Sequence, residues 1–349
     1  MTVFSSPAFD DHEAVHFCAD QRTGLRAIVA IHSTHRGPAA GGCRIWEYAT
    51  EADAIVDVLR LARGMSYKNA MAGLDLGGGK AVVLKSPGNA VTDAQLTRFG
   101  DFVDSLGGRY ITAEDVGMSV EKMQLVARGT KYVAGLPPRE GIAGGDPSPK
   151  TALGVYHGMR AAIEKRLGRE SLADVRVAVQ GVGHVGLSLC EMLHAAGAQL
   201  WVADIDASRV AEAVARFGAT AVPLDAILEQ DVDVVAPCAL GGILNADSIS
   251  RLRASVVAGA ANNQLADDVD GQRLHEHGVL YCPDYVINAG GIINVACEYE
   301  GEVDDATVNE RVVAIADRLR EVFARAEATA VPTNRVADQI ARDLIARSG

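Results

Sequence analysis

Strands and helices alternate through the second half of the chain, from Val175 onward. Short apolar runs rich in valine predict strands at 175–180, 200–204, 232–236, 255–258 and 279–281. Between two of these strands, the residues from Ala207 to Phe217 predict a helix that ends at Gly218. Strands and helices that alternate at this spacing predict a parallel, doubly wound α/β sheet.

The first half also mixes strands with amphipathic helices, but in a less regular order. Residues 25–31 and 81–84 predict strands. Thr50 and Asp53 resemble a capping box that opens a helix leading to Lys68, and residues 92–106 predict a second helix. We therefore expect an α/β fold with two domains that flank a cleft.

Glycine and proline mark the junction between the two halves, where they supply five of the nine residues at 141–149. The chain ends in a long helical pattern from about Ala306, which is interrupted at Pro332. We place the domains at residues 1–146 and 147–321, and expect helices at about 322–349 to return to the first domain.

Composition and charge exclude several classes of protein. The 349 residues are 48% hydrophobic and 22% charged, as is typical of a globular protein. The net charge of −12 argues against a nucleic-acid binder, and we expect no membrane span and no signal peptide. The six scattered cysteines predict reduced thiols and a cytoplasmic location. The segment from His275 to His277 is interpreted as a solvated helix face, so no metal site is expected.

A glycine triplet predicts a dinucleotide site in the second half. Gly181, Gly183 and Gly186 follow a predicted strand and open a predicted helix, and Asp204 ends the next strand. Such glycines allow a tight turn and close approach of a pyrophosphate to the helix N-terminus. The Asp204 carboxylate would bind ribose hydroxyls and repel a 2′-phosphate, which favours NAD over NADP; Arg209 is interpreted as a surface residue.

Lys80 follows three glycines and precedes an apolar strand. We interpret the glycines as a loop, so that Lys80 stands where this loop meets an apolar wall. A lysine in such a place can act as a general base near neutral pH. The alternative is a lysine that extends its amine to solvent from a strand edge.

Glu114 and Asp115 form a carboxylate pair between a strand-like run and Gly117, as is common in loops that carry site residues. With this carboxylate pair, the lysines and the glycine turn, the chain resembles the Glu/Leu/Phe/Val amino-acid dehydrogenases. Within this family it resembles leucine dehydrogenases most and phenylalanine dehydrogenases next. The resemblance covers nearly the whole chain. Its blocks are residues 37–44, 59–68, 74–80, 112–117, 147–152, 236–239, 259–264 and 283–291.

The resemblance implies oxidation of an L-amino acid by NAD to a 2-oxo acid and ammonia. A hydride leaves the α-carbon, and water attacks the iminium that results. In such an enzyme Lys68 would hold the α-carboxylate, Lys80 would activate water, and Asp115 would bind the amino group and transfer protons. The resemblance assigns the rest of the substrate cradle to Gly41, Gly42 and Asn262.

The resemblance also assigns cofactor contacts and a side-chain pocket. The cofactor residues would be Gly181, Val182, Gly183, His184, Val185, Gly186, Asp204, Ile205, Thr151, Cys238, Ala239, Asn263 and Asn288. The pocket would be lined by Ala40, Met65, Ala113, Ile292 and Val295. No cation lies among these pocket residues, so glutamate is disfavoured. The small, branched lining favours leucine-type substrates, with phenylalanine as the alternative.

Two other classes remain open. A non-catalytic NAD-binding sensor could share the fold. A hydroxy-acid dehydrogenase would need a histidine base, for which only His32 and His35 are candidates, and both are expected at the surface.

For an amino-acid dehydrogenase, residues 1–146 would bind substrate and form oligomers, and 147–321 would bind NAD. Its partners would be the amino acid, the 2-oxo acid and ammonia, in a homo-oligomer (a dimer or an octamer).

Overall fold

The computed structural model describes residues 3–137, 143–301 and 303–346. The chain forms two compact units. Unit 1 contains Met1–Gly145, Val295–Asp305 and Ala341–Gly349, and unit 2 contains Asp146–Asn294 and Ala306–Ile340. No described helix is long and apolar enough to cross a membrane.

Unit 1 is built on a mixed sheet. Its strands are β1 (Ala14–Asp20), β2 (Leu25–Ser33), β3 (Ala39–Trp46), β4 (Gly77–Leu84) and β5 (Tyr110–Glu114). Their order is β1-β2-β4-β3-β5. The β1–β2 and β2–β4 pairs are antiparallel, whereas β3 lies parallel to both β4 and β5. Strand β3 therefore lies between β4 and β5 and runs parallel to both.

Helices pack on both faces of this sheet. They are α1 (Glu51–Met71), α2 (Asp93–Asp104) and α3 (Val120–Val126). Successive residues of β2 point to opposite faces, so Val29 lies in the cluster with α2 and α3, whereas Ile28 lies in the cluster with α1. The predicted capping box is present, because Thr50 and Asp53 exchange side-chain-to-backbone hydrogen bonds at the start of α1. The sheet is therefore buried on both faces.

The glycine run before Lys80 is not the loop that we predicted. Gly77, Gly78 and Gly79 are the buried first residues of β4. A Cβ atom on Gly78 would lie 2.0 Å from the amide nitrogen of Ser66, which is in α1. The glycines are thus required because α1 and the neighbouring strands approach the backbone of β4 closely, rather than for loop freedom.

Unit 2 contains a sheet in which every strand pair is parallel. Its strands are β6 (Arg176–Gln180), β7 (Gln199–Ala203), β8 (Thr220–Ala221), β9 (Val234–Pro237), β10 (Val256–Val257) and β11 (Leu280–Tyr281). Their order is β11-β10-β9-β6-β7-β8. The order reverses at β6, so the sheet is doubly wound, as predicted.

The helices after residue 147 complete this unit and supply segments to unit 1. They are α4 (Ser148–Leu167), α5 (His184–Ala195), α6 (Ala207–Phe217), α7 (Ala246–Arg251), α8 (Val269–Glu276), α9 (Asp284–Ile287), α10 (Gly290–Glu300), α11 (Asp305–Val313), α12 (Ile315–Thr329) and α13 (Thr333–Ala346). Within unit 2, α4 contacts both α5 and α12. The α/β architecture with two domains agrees with the sequence prediction.

The boundaries of the units differ from the predicted domains 1–146, 147–321 and 322–349. Residues Val295–Asp305 belong to unit 1, and of the predicted returning helices only the part from Ala341 does so. The reason is that α12 packs against α4 in unit 2, with Leu319 fully buried. Residues 141 and 142 of the predicted junction lie outside the described residues.

Candidate functional site

Lys80 and Asp115 meet in unit 1. Lys80 lies in β4, and Asp115 follows the last residue of β5. In the sheet, β3 lies between these two strands. The Lys80 Nζ is 3.0 Å from the Asp115 Oδ2, and only 7% of the Lys80 side chain is exposed. Two residues that the sequence separates widely thus form a largely buried ion pair.

A second cation, Arg44 of β3, contacts the same carboxylate. Its Nε donates to the Asp115 Oδ2 at 3.1 Å. Burial opposes ionisation of Asp115, but the charges of Lys80 and Arg44 outweigh it and lower the pKa of this carboxyl group. Asp115 is therefore a carboxylate, and a hydrogen-bond acceptor, at neutral pH.

Two glycines of β3 make room for this pair. A Cβ atom on Gly42 would lie 2.4 Å from the Glu114 carbonyl oxygen and 2.8 Å from the Asp115 Cβ. A Cβ atom on Gly41 would lie 1.9 Å from the Gly79 carbonyl oxygen and 2.9 Å from the Met65 Cγ. Only glycine fits at either position, because the backbones of β4 and β5 approach β3 closely there.

Helix α1 brings the other predicted lysine to this side of the sheet. Lys68 lies in its last turn, partly buried, one turn beyond Met65. The Asn69 Nδ2 donates to the Gly77 carbonyl oxygen at 2.6 Å, and this bond ties the end of α1 to β4. Met65 and Lys68 are therefore held by a helix that is anchored on the strand of Lys80.

The residues of the predicted side-chain pocket are divided between the two units. Ala40 and Ala113 are buried on the adjacent strands β3 and β5, where Ala113 pairs with Gly42. Val295 is partly buried in the part of α10 that belongs to unit 1. Ile292 lies one turn earlier on α10, in unit 2.

Three polar residues next to Asp115 in this network were not predicted from the sequence. The Arg44 Nη1 donates to the Asp57 Oδ2 at 2.9 Å, and the Tyr48 hydroxyl donates to the same oxygen at 2.6 Å. Arg44 belongs to a block that carries the family resemblance, but nothing in the spacing of Arg44, Tyr48 and Asp57 predicts that they contact one another.

His32 is not the surface residue that we expected. Its side chain is 10% exposed, and its Nδ1 is 2.7 Å from the Ser66 Oγ. Burial, reinforced by the neighbouring His12, lowers the pKa of His32 to about 4. Asp10 is 3.7 Å from the other ring nitrogen, so a histidine–carboxylate pair does exist here. Because the first ring nitrogen is bound to α1, we assign His32 a structural role.

In unit 2, the glycine triplet forms the turn that the sequence predicted. Gly181 has a φ of +91°, and a Cβ atom on it would lie 2.6 Å from the Ala239 Cβ. Gly183 caps α5, which begins at His184. A Cβ atom on Gly186 would lie 2.0 Å from the Gly181 carbonyl oxygen. The first turn of α5 therefore packs directly on the end of β6, as phosphate-binding turns require.

Asp204 lies beside this turn. Its Oδ2 accepts a hydrogen bond from the Val182 amide at 2.8 Å, and its Oδ1 accepts one from the Asp206 amide at 2.9 Å. Each carboxylate oxygen has a second lone pair for a ribose hydroxyl. The next residue, Ile205, is 90% exposed. Arg209 approaches Gly183 and pairs with Asp206 at 3.5 Å.

Three predicted asparagines of unit 2 lie close in the fold. The Asn288 Nδ2 donates to the Asn262 Oδ1 at 2.7 Å and to the Ala260 carbonyl oxygen at 3.0 Å. Asn263 has a positive φ of 51°. The Asn288 Oδ1 is buried without a hydrogen-bond partner among the described residues, so it is available to a ligand.

The remaining predicted cofactor residues flank the same sheet or lie at the start of α4. The Cys238 amide donates to the Gln180 carbonyl oxygen at 2.7 Å, which places Cys238 and Ala239 against the glycine turn. The Thr151 hydroxyl donates to the Pro147 carbonyl oxygen at 3.0 Å. The glycine turn, the Asp204 carboxylate and the free Asn288 oxygen together fit a nicotinamide dinucleotide.

Two family models match parts of this chain. Residues 12–132 match the family model described as Glu/Leu/Phe/Val dehydrogenase, dimerisation domain. Residues 202–342 match the model described as Glutamate/Leucine/Phenylalanine/Valine dehydrogenase. The glycine turn at 181–186 lies between the two matched ranges.

Similar proteins cover nearly the whole chain. Leucine dehydrogenase of Geobacillus stearothermophilus is 48% identical over 99% of this chain and 94% of its own length. Valine dehydrogenase of Streptomyces coelicolor is 46% identical over 97% of this chain and 93% of its own length. The crystal structure of L-tryptophan dehydrogenase from Nostoc punctiforme superimposes with a TM-score of 0.87 at 45% identity, covering 97% of this chain and 96% of that one. The chain is therefore a member of the Glu/Leu/Phe/Val dehydrogenase family.

Proposed function

We propose that this protein is an NAD-dependent L-amino-acid dehydrogenase that deaminates leucine and other branched-chain amino acids. One amino acid, one NAD and one water give a 2-oxo acid, ammonium, NADH and a proton. The observation that carries the proposal is the Lys80–Asp115 pair, because it unites a potential base with a fixed carboxylate beside Gly41 and Gly42, where any larger residue would collide with the neighbouring backbone.

Binding of the amino acid is assigned to two charged groups. Lys68, held by α1, binds the α-carboxylate, and Asp115 accepts a hydrogen bond from the amino group. These two contacts fix the α-carbon, and the hydrogen on it, in one orientation. NAD, when bound, supplies the acceptor for the hydride that leaves this carbon.

Lys80 is assigned the proton transfers. In its amine form it removes a proton from the water that attacks the substrate iminium. Its side chain is almost fully buried, so few other water molecules compete for the amine. Asp115, in direct contact with Lys80, relays the proton that Lys80 has gained to the departing nitrogen. The Lys80 amine, restored by this transfer, then takes the hydroxyl proton of the carbinolamine as the C–N bond breaks and the 2-oxo acid forms.

The substrate side chain is assigned to the residues that the family resemblance gives as a pocket lining, which are Ala40, Met65, Ala113, Ile292 and Val295. None of these residues is charged, which supports an apolar substrate and disfavours glutamate. Apolar pockets separate substrates that differ by one methylene by only about 1–3 kcal/mol, so valine and isoleucine should also react. Phenylalanine dehydrogenase activity is the alternative within the same mechanism.

Asp204 supports NAD rather than NADP as the cofactor. Its carboxylate lies at the glycine turn, where a 2′-phosphate would be repelled. Arg209 lies near this turn but is paired with Asp206. We therefore expect NADP to be a poor substitute for NAD.

A homo-oligomer is proposed for the protein in solution. Strand β1 is at the edge of the sheet, and Phe17 in it is 51% exposed. Unpaired edges with exposed aromatic side chains favour association with a second copy. The matching model for residues 12–132 is described as a dimerisation domain. Sedimentation analysis would distinguish a dimer from an octamer.

The test is an assay of NADH formation with purified protein, NAD and a panel of L-amino acids. We expect turnover of leucine, isoleucine and valine, and its loss in a Lys80→Ala variant that remains folded. A strong preference for phenylalanine would retain the mechanism and refute the assigned specificity. Binding of NAD without turnover of any amino acid would refute the enzyme and support the non-catalytic sensor.

A further inference from the structure

Arg44 connects the candidate catalytic carboxylate to a second acidic residue. Its Nε contacts the Asp115 Oδ2 at 3.1 Å, and its Nη1 contacts the Asp57 Oδ2 at 2.9 Å. These groups lie on β3, after β5 and on α1, so the guanidinium joins three separate parts of unit 1. Only 24% of the Arg44 side chain is exposed, so solvent screens its two ion pairs less than it screens ion pairs at an open surface.

The far end of this chain of contacts is also fixed. The Tyr48 hydroxyl donates to the Asp57 oxygen that Arg44 contacts, at 2.6 Å. Burial, together with the charge of Asp57, raises the pKa of Tyr48, so its hydroxyl remains a donor. Asp57 is thus held by two donors and cannot turn away from Arg44 without losing both.

The contacts leave one side of Asp115 open. Lys80 and Arg44 both contact Oδ2. Among the described residues no hydrogen bond or ion pair involves Oδ1. A guanidinium is planar and directional, whereas an ammonium on a flexible stem is a point charge. Arg44 is therefore the partner that can define the plane of the carboxylate and the direction in which Oδ1 points.

The two cations also differ during turnover. Lys80 gains and loses a proton in the proposed reaction, so its attraction for Asp115 changes with each step. The guanidinium of Arg44 remains charged throughout. Without Arg44, the carboxylate would have no permanent cation beside it when Lys80 is in its amine form.

We infer that Arg44, itself fixed by Asp57 and Tyr48, is a positioning residue that keeps the Asp115 carboxylate in place while Lys80 exchanges its proton. This inference rests on the proposed function, because it assigns Asp115 to the substrate amino group. Arg44 does not itself contact the reacting atoms.

The first test compares pH profiles of kcat/KM for leucine in the wild type and in Arg44→Gln. The titratable or charged groups around Asp115 are Lys80, Arg44, Asp57, Tyr48, Cys43 and Tyr110. Only Arg44 changes in the variant. We expect kcat/KM to fall by about 10- to 100-fold, because the carboxylate is misplaced. We also expect the acidic limb of the profile to move up by about one pH unit, because Asp115 loses one of its cations.

Two milder variants keep the test decisive if Arg44→Gln fails to fold. Arg44→Lys retains the charge but cannot reach both carboxylates, so it should keep the acidic limb and still lose kcat. Asp57→Asn keeps the Arg44–Asp115 contact and should lower kcat less than Arg44→Gln does. The matched control is Arg26→Gln, which removes an exposed arginine whose ion pair with Glu51 is in the same unit. The control should retain the wild-type profile.

The inference is overturned if the wild type is active and the Arg44 variants have the same kcat/KM and the same acidic limb as Arg26→Gln. An inactive wild type would instead refute the proposed function. The role of Arg44 can then still be tested by NMR titration of the Asp115 carboxyl carbon. The signal of this carbon is identified because it is absent from the spectrum of Asp115→Asn. Its midpoint should rise in Arg44→Gln, and an unchanged midpoint would refute the coupling between the two residues.

Discussion

Gly42→Ala is the most direct test of the geometry around Asp115. The added methyl carbon would lie 2.4 Å from the Glu114 carbonyl oxygen, whereas ordinary contacts begin at 3.4 Å. The neighbouring atom belongs to the backbone of β5, so it cannot move as a flexible side chain would. Relief of the contact therefore requires a displacement of about 1 Å at the end of β5, next to Asp115.

The size of the effect follows from this displacement. A misplacement of about 1 Å at a reacting group can lower kcat/KM about 100-fold. Forcing an extra methyl into a packed interior destabilises a protein by about 1–3 kcal/mol. We therefore expect Gly42→Ala to remain folded, with a reduced free energy of unfolding and a large loss of amino-acid oxidation.

Gly64→Ala provides the matched control. Gly64 is exposed in the middle of α1, and no atom outside its own helix lies within 4 Å of the added carbon. Alanine there should stabilise the protein by about 0.5–1 kcal/mol and leave the kinetics unchanged. The assays are NADH formation from leucine and urea unfolding of both variants. A Gly42→Ala enzyme as active as the control would refute the close contact between β3 and Asp115.

Three further predictions concern charge, cofactor and substrate. The folded-state pKa of Asp115 is lowered from its usual 3.8, so its contribution to stability is full above that value and is lost as the pH falls through the folded pKa. Urea unfolding at acidic pH should therefore show a weaker pH dependence in Asp115→Asn, and equal slopes would contradict the assignment. Asp204→Asn should raise the dissociation constant of NAD about tenfold and weaken discrimination against NADP, as measured by calorimetry. An unchanged ratio of the two affinities would count against this role. Ala113→Gly should increase the preference for phenylalanine over leucine about tenfold in kcat/KM, and the absence of a shift would exclude this residue from the pocket.

The architecture of unit 2 could be predicted because its signals are local. Helix α6 has the predicted bounds, since Gly218 ends a strongly amphipathic segment. The strands were less predictable at their ends. Strands β10 and β11 pair over two residues each, fewer than their apolar runs suggest, because strand length depends on the partner strands and not on hydrophobicity alone.

The glycine run before Lys80 shows where the sequence is ambiguous. Three successive glycines are compatible with a loop, and also with a strand that other backbones approach closely. The second case applies, and the contacts of Ser66 with Gly78 that decide it come from a helix that precedes the strand. No local pattern carries this information.

The sequence proposes residues for the candidate site, but it does not predict the contacts of Arg44 within it. Lys68, Lys80 and Asp115 follow from the family resemblance. The contacts of Arg44 with Asp57 and Asp115 depend on the parallel register of β3 with β5 and on the packing of α1. Those relations are tertiary, so the spacing of the residues along the chain does not reveal them.

The most direct test of the proposed function follows the hydrogen on the α-carbon of the substrate. Purified protein would be given NAD and leucine carrying deuterium at this carbon, and the products would be analysed by mass spectrometry. We expect one deuterated NADH, one 2-oxo acid and one ammonium for each leucine consumed, and none of them in Lys80→Ala. Deuterium released to water, or 2-oxo acid formed without ammonium, would contradict direct hydride transfer from an amino acid.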